Sequence, residues 1–156
     1  MSDLARVRVW AEALITAHLQ PQLAPGDRPW SFAFDHAKRR AGLCNYTDRR
    51  ITVSRYLAEK FDDDEIHQVL LHEVAHALAG PEAGHGATWK TIARDLGYVG
   101  GVTHHGEIAH ERAPWVGRCS AGHEHYRFRK PTRLHSCGQC AKRFAPEHVI
   151  SWRSRD

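Results

Sequence analysis

Residues 62–86 read DDDEIHQVLLHEVAHALAGPEAGHG, and no other stretch constrains the fold as much. The acidic start supplies an Asp to cap free N–H groups and places negative charge at the positive end of a helix dipole. Gly80 and Pro81 then stop the helix near Ala79. Around the wheel Ile66, Leu70, Val74, Ala77 and Leu78 lie roughly opposite His72 and His76, and Leu71 and Ala75 widen the apolar surface. Such a helix is mostly buried, and two imidazoles and a carboxylate on it are costly without a partner. His72 and His76, four apart, rise from one face and can bind one Zn2+ together. Glu73 points in a neighbouring direction, which suits a general base acting on water better than a ligand. The chain then returns through PEAG to His85, between Gly84 and Gly86, and these glycines permit a turn that brings a third ligand from outside the helix. Three nitrogens leave one zinc position open, the arrangement of a catalytic site. The competing reading is a set of satisfied core histidines.

The flanking segments read as an α+β domain. Leu4, Val7, Ala11, Leu14, Ile15 and Leu19 recur at helical spacing until Pro21. Trp30, Phe32 and Phe34 alternate with polar or small residues, the period of a half-buried strand, and further short strands are expected over 41–46 and 49–54. Cys44 falls within the strand over 41–46, where a lone Cys reads as a small buried hydrophobe. Another helix is expected over 87–96, with Trp89, Ile92, Ala93 and Leu96 on one face and Gly97 closing it. Gly100, Gly101 and the polar residues after them read as a flexible segment rimming a cleft. Tyr98, His104 and His105 are near enough in sequence to be oxyanion donors, although an ordinary loop role fits each as well.

These residues carry a resemblance. HEVAHALAG, then GHG followed by the aromatic of ATWK, preceded by AGLCNY and RRITVS, resembles the SprT-like family of zinc metalloproteases over residues 30–97. The resemblance implies that His72, His76 and His85 ligate a catalytic zinc, that Glu73 is the catalytic acid/base, and that a small sheet packs beside the active-site helix. The eight residues between His76 and His85, and Ala79 at the usual glycine position, separate the chain from metzincins.

The last third has different chemistry. Cys119, His123, Cys137 and Cys140 read C-x3-H and C-x2-C, a spacing that suits a closed tetrahedral site in a zinc ribbon. His125 and His135 are alternatives to His123 as the fourth ligand. The similar family often has cysteine at these positions, so a histidine is a departure. Residues 113–156 hold nine Lys or Arg against three Asp or Glu, while 1–112 hold thirteen against fifteen, giving +6 and −2. Such asymmetry points to an anionic partner for the C-terminal piece, nucleic acid first, with a solvated basic face as the bland alternative. Between the cysteine pairs lies HYRFRKPTR, where Arg127, Arg129, Lys130 and Arg133 would contact phosphates. On an alternating strand Tyr126 and Phe128 would share the other face, as core or as a stacking surface.

The expectation is therefore a SprT-like, zincin-like domain over 1–112, helical with a small antiparallel sheet, and a basic zinc-ribbon subdomain over 113–156. It would bind one catalytic and one structural Zn2+ and act as a metalloendopeptidase on protein substrates, including proteins bound or crosslinked to DNA. One rival is a nucleic-acid-binding zinc protein whose HExxH site is structural; another is a zinc hydrolase of small amides, for which no dedicated pocket is visible. Ordinary globular composition and short apolar runs argue against a membrane span. Charges scattered through the first 19 residues break any export signal, so the expected location is the cytoplasm. Clustered cysteines in such a chain favour metal over disulfides.

Overall fold

Helix formation begins at Asp3, whose carboxylate accepts the Arg6 N–H at 2.9 Å and caps α1 (Leu4–Leu14). A wider π-type turn carries the helical path through Ile15–Leu19, and a 3-10 turn over Gln20–Gln22, containing Pro21, ends it. The computed structural model describes residues 1–101 and 110–155, and the chain divides into two units, Met1–Ile108 and Ala109–Asp156.

In the first unit α1 is followed by β1 (Ser31–Asp35), β2 (Gly42–Asn45) and β3 (Arg50–Ser54). The sheet is mixed, not wholly antiparallel as expected. β2 and β3 form an antiparallel hairpin, while β1 pairs parallel with β3 on its other side, in the order β1-β3-β2. The connection over 36–41 makes this possible by passing around the end of β3. Ser54, the last residue of that strand, holds it there: its hydroxyl donates to the Ala37 carbonyl and its N–H to the Ala41 carbonyl at 2.8 Å.

A short helix α2 (Arg55–Ala58) leads to α3 (Asp63–Ala79), and α4 (Ala87–Asp95) follows. The start of α3 is a reciprocal cap: Asp62 accepts the Glu65 N–H at 2.8 Å and Glu65 accepts the Asp62 N–H at 2.9 Å. Ile66 and every residue from Val69 to Ala75 are buried, so the middle of α3 is covered all round. Val7, Ala11, Ile15 and Leu19 from the first helical segment, Phe32, Ile51 and Val53 from the sheet, and Ile66, Val69, Leu70 and Val74 from α3 supply much of the buried apolar side-chain set. A separate cluster of Leu71, Ala75, Trp89, Ala93 and Tyr98 joins α3 to α4.

The second unit is a small antiparallel sheet of β4 (Trp115–Arg118), β5 (Glu124–Arg127) and β6 (Ser151–Ser154), in the order β5-β4-β6. Its buried cluster is Cys119, Cys137 and Ile150, with Cys140 and Trp152 packed against it. No described helix is long and apolar enough to cross a membrane.

The turn after β1 is organised by Asp35. Its carboxylate accepts the Ala37 N–H at 2.9 Å, the Arg40 guanidinium at 2.8 Å and the Thr52 hydroxyl at 2.6 Å. Burial pushes this carboxyl up, but the bonds from Thr52, Ala37 and Arg40 outweigh it and hold it below the ordinary carboxylate value. A folded pKa depressed below the unfolded one gives stability that is present above about pH 4 and is lost as pH falls through the folded value. Asp35→Asn should lower the unfolding free energy by about 1–2 kcal/mol at pH 7. Urea denaturation at neutral pH and near pH 3 should show the difference from wild type shrinking in acid.

Candidate metal centres

The sequence places His72 and His76 one turn apart on α3, and the fold brings His85 to them. Gly80 makes the turn at the helix end with φ +88°, its N–H bonding the His76 carbonyl at 3.0 Å. Gly84, at φ +52°, reverses the chain just before His85, a conformation in which a side chain would be strained. Gly86 has an ordinary φ of −73° and precedes α4, so only one of the two flanking glycines is used for its conformational freedom.

The three Nε2 atoms converge. His76 lies 3.2 Å from His72 and 2.9 Å from His85, and His85 lies 3.2 Å from His72. Each neutral imidazole has one N–H and one lone pair, and three nitrogens aimed at a common point cannot satisfy one another by hydrogen bonds alone. A tetrahedral Zn2+ with Zn–N near 2.0–2.1 Å would hold its nitrogens about 3.3 Å apart, so this donor set fits such an ion with a small expansion. His72 is 4% exposed, His76 is half-buried and His85 is exposed. The site therefore grades from the core outward.

Trp89, from α4, backs all three rings. Its centroid is 4.7 Å from His72, 5.3 Å from His76 in a stacked arrangement, and 4.7 Å from His85. Its indole N–H donates to the His72 carbonyl at 3.3 Å, so the floor is bonded to the helix that it supports. Tyr46 performs a similar service at the other end, its hydroxyl donating to the His76 carbonyl at 3.1 Å. The helical periodicity places Trp89 in the core but says nothing of its contact with the ligands. Tyr98 packs 5.3 Å from His72, and its hydroxyl donates to the Gly101 carbonyl at 2.7 Å. His104 and His105 lie outside the described residues.

Glu73 is 5% exposed and faces the sheet rather than joining the three nitrogens. Burial pushes its carboxyl up to about 7, against the pull of Arg40. Burial, with His85 beside it, pushes His76 down to about 4, favouring the neutral form that ligates metal. Cys44 is half-buried on β2, and its thiol is raised to about 12 by burial and the Glu73 charge.

The second cluster contains Cys119, His123, Cys137 and Cys140. His123 Nδ1 lies 3.5 Å from the Cys119 and Cys137 sulfurs and 3.4 Å from that of Cys140, and the Cys119 and Cys140 sulfurs are 3.8 Å apart. Zn–S near 2.3 Å and Zn–N near 2.0 Å predict separations of about 3.5–3.8 Å, which these match. His123 thus occupies the fourth position; the buried Nε2 of His125 and Nδ1 of His135 are not part of the cluster. Burial pushes the Cys119 thiol up, but N–H groups of His123 and Ala121 and the thiols of Cys140 and Cys137 hold it low. Burial and the other two thiols push Cys140 up.

Arg127, Arg129, Lys130 and Arg133 are all exposed. β5 ends at Arg127, so the alternation expected through Arg129 stops early. Tyr126 and Phe128 are half-buried, Tyr126 against His110 at 4.9 Å and under the Arg155 guanidinium at 5.4 Å, and Arg127 lies 6.0 Å over the Trp152 ring.

Metal analysis of the intact chain should return two ions, and His85→Ala should remove one while sparing the thiolate site. A chelator should strip the histidine site first, because it is open to solvent on the His85 side and lacks thiolates. One ion in folded wild-type protein would eliminate one of the two centres.

The pattern that defines the SprT-like family matches residues 22–110. No curated protein and no solved structure gives a significant match. The matched region is more than half of the chain and contains the sheet, α3 with His72 and His76, and the return to His85, and the chain belongs to the SprT-like family.

Proposed function

We propose that this protein is a zinc-dependent metalloendopeptidase of the cytoplasm, with a zinc-ribbon subdomain that brings it to nucleic acid. The observation that carries the reading is the convergence of His72, His76 and His85 Nε2 atoms beside a buried Glu73 on the same helix. Among the described residues this cluster has three members and the cysteine cluster four. The difference favours an open, reactive centre for the first and a closed, structural one for the second.

When bound, zinc at the histidine centre supplies Lewis acidity that polarises a scissile carbonyl and makes water nucleophilic near neutral pH. The chain's own residues do the rest. Glu73 takes the proton from the attacking water and delivers it to the leaving amine, a role for which a buried carboxylate beside the ligands is suited. Trp89 holds the three imidazoles from behind and excludes water from that side. Exposure of His85 leaves the site approachable by a polypeptide.

Glu73→Gln should keep both metal ions and the fold, since the amide has the same shape, and should lose at least about 100-fold in peptide hydrolysis because it cannot accept the proton. Metal analysis and turnover of a fluorogenic peptide measure this. Undiminished turnover, or no cleavage by the zinc-loaded wild type, would favour a nucleic-acid-binding protein with a structural metal.

For the ribbon, the support is the +6 charge of residues 113–156 and the exposure of Arg127, Arg129, Lys130 and Arg133. Binding through these groups would release counterions, so affinity should fall steeply with salt and depend little on base sequence. DNA would then gather its bound proteins near the zinc and raise their effective concentration. Reversing Arg127 and Arg129 to Glu should abolish any DNA-dependent gain in cleavage of a DNA-binding protein, leaving metal content and cleavage of a small peptide unchanged. The same acceleration by DNA in both proteins would reduce the basic surface to a solvated face.

A further inference from the structure

Gly42 opens β2, paired with Val53 across the hairpin, and its backbone runs against the side chain of Glu73. A Cβ placed on Gly42 would stand 2.9 Å from Glu73 Cγ, 2.9 Å from Glu73 Oε1 and 2.9 Å from Val69 Cγ1. Ordinary carbon contacts are about 3.5–4.0 Å, so there is no room for even a methyl group. The backbone of Gly42 is not in the left-handed region, and an L residue could adopt it. What the position excludes is the side chain itself.

The neighbours differ in their ability to yield. Val69 is 1% exposed and stiff at χ1. β2 is held by its ladder to β3 and, just before Gly42, by the Ser54 N–H on the Ala41 carbonyl at 2.8 Å. The end of the Glu73 side chain, reached through three torsions, yields more readily than either. An added methyl would press on Val69 Cγ1 as well, but the part that swings aside most readily is the carboxylate.

We propose that Gly42 is a positioning residue for Glu73: the bare backbone of β2 is the wall against which the carboxylate rests, and the missing side chain sets where that carboxylate stands. This rests on the reading of Glu73 as the proton carrier. A helix alone gives Glu73 a direction but leaves its three side-chain torsions to be restricted by contacts. Backbone on the sheet side and Val69 on its own helix supply such contacts, which is a reason for a glycine within a strand that its φ does not require.

The test compares the zinc-loaded full chain as wild type, Gly42→Ala, Glu73→Gln and the double variant. Gly42→Ala should lower kcat about 10- to 100-fold, the scale of a displacement near 1 Å, with KM within about two-fold and both metals retained. In the Glu73→Gln background the same methyl should change the residual rate by less than about two-fold, since no base remains to be misplaced. An equal fold loss in both backgrounds would overturn the proposal in favour of general destabilisation, and so would an unchanged kcat in folded Gly42→Ala. Acetohydroxamic acid, which gives up a proton on binding a metal, supplies a readout without turnover. Its affinity should fall in Gly42→Ala with metal content constant, and an unchanged affinity would count against the proposal. Should Gly42→Ala fail to fold, Gly42→Ala/Val69→Ala empties the apolar side while keeping the methyl against Glu73. It should fold and remain slow, and full recovery of kcat would overturn the assignment. Failure of the peptidase reading itself would show in the wild type and Glu73→Gln, which carry no change at Gly42, while the hydroxamate comparison still reports on the carboxylate's place.

Discussion

The structure depends on a polar group that is expensive to bury. In the middle of α3, His72 and Glu73 are consecutive and nearly inaccessible, with apolar residues on either side of them in sequence. Desolvation raises the cost of a charge at Glu73 and of any unanswered nitrogen at His72. The polar pair is consistent with a helix that must present a ligand and a carboxylate from within the core, and the surrounding elements are arranged to make that tolerable.

Two elements, α4 and the β2–β3 hairpin, share the task through three different interactions. α4 contributes Trp89, whose ring contacts all three imidazoles and whose N–H bonds the α3 backbone, so ring orientation and helix position are coupled. The hairpin contributes Tyr46, whose hydroxyl bonds the His76 carbonyl alongside the Gly80 N–H at the helix end. β2 also brings bare backbone at Gly42 up to Glu73. The convergence of Nε2 atoms depends on this support, because imidazoles joined only by flexible side chains would not hold three lone pairs on one point.

Much of this was legible in the sequence because the signals are local. The cap at Asp62, the apolar stripe of α3, the stop at Gly80 and the i, i+4 spacing of His72 and His76 follow from helix geometry, and each is present. The cysteine pair at Cys137 and Cys140 was equally plain, since two thiols three positions apart have few other uses in a metal-binding chain. What escaped is long-range. Alternation along β1 cannot say which strand it joins or in which direction, so it does not distinguish the mixed sheet from the antiparallel one expected. Three histidines within reach of the cysteines cannot be ranked by spacing, and the fold selects His123. Trp89 read as core, which it is, but its role beneath the ligands depends on how α4 packs on α3. Gly42 offered one signal, an isolated glycine in a strand, whose meaning appears only when Glu73 is placed against it.

The two centres also differ in their relation to the cores around them. In the second unit, Cys119 and Cys137 are themselves most of the buried cluster, with Ile150 the remaining member and Cys140 and Trp152 packed alongside. The other buried apolar residues described in this unit are few and mostly small: Ala113, Val116 and Ala145. An ion bound by Cys119, His123, Cys137 and Cys140 would therefore contribute to the folding of that unit. The histidine centre is different, because the first unit has a larger apolar core from α1, the sheet and α3, and of the three histidines only His72 is buried. An ion held there could be exposed, with an approachable side at His85, without the fold depending on a closed coordination shell. A structural site gains by hiding its ion behind four ligands, and a reactive one must leave a side open; the clusters of four and of three among the described residues match that division.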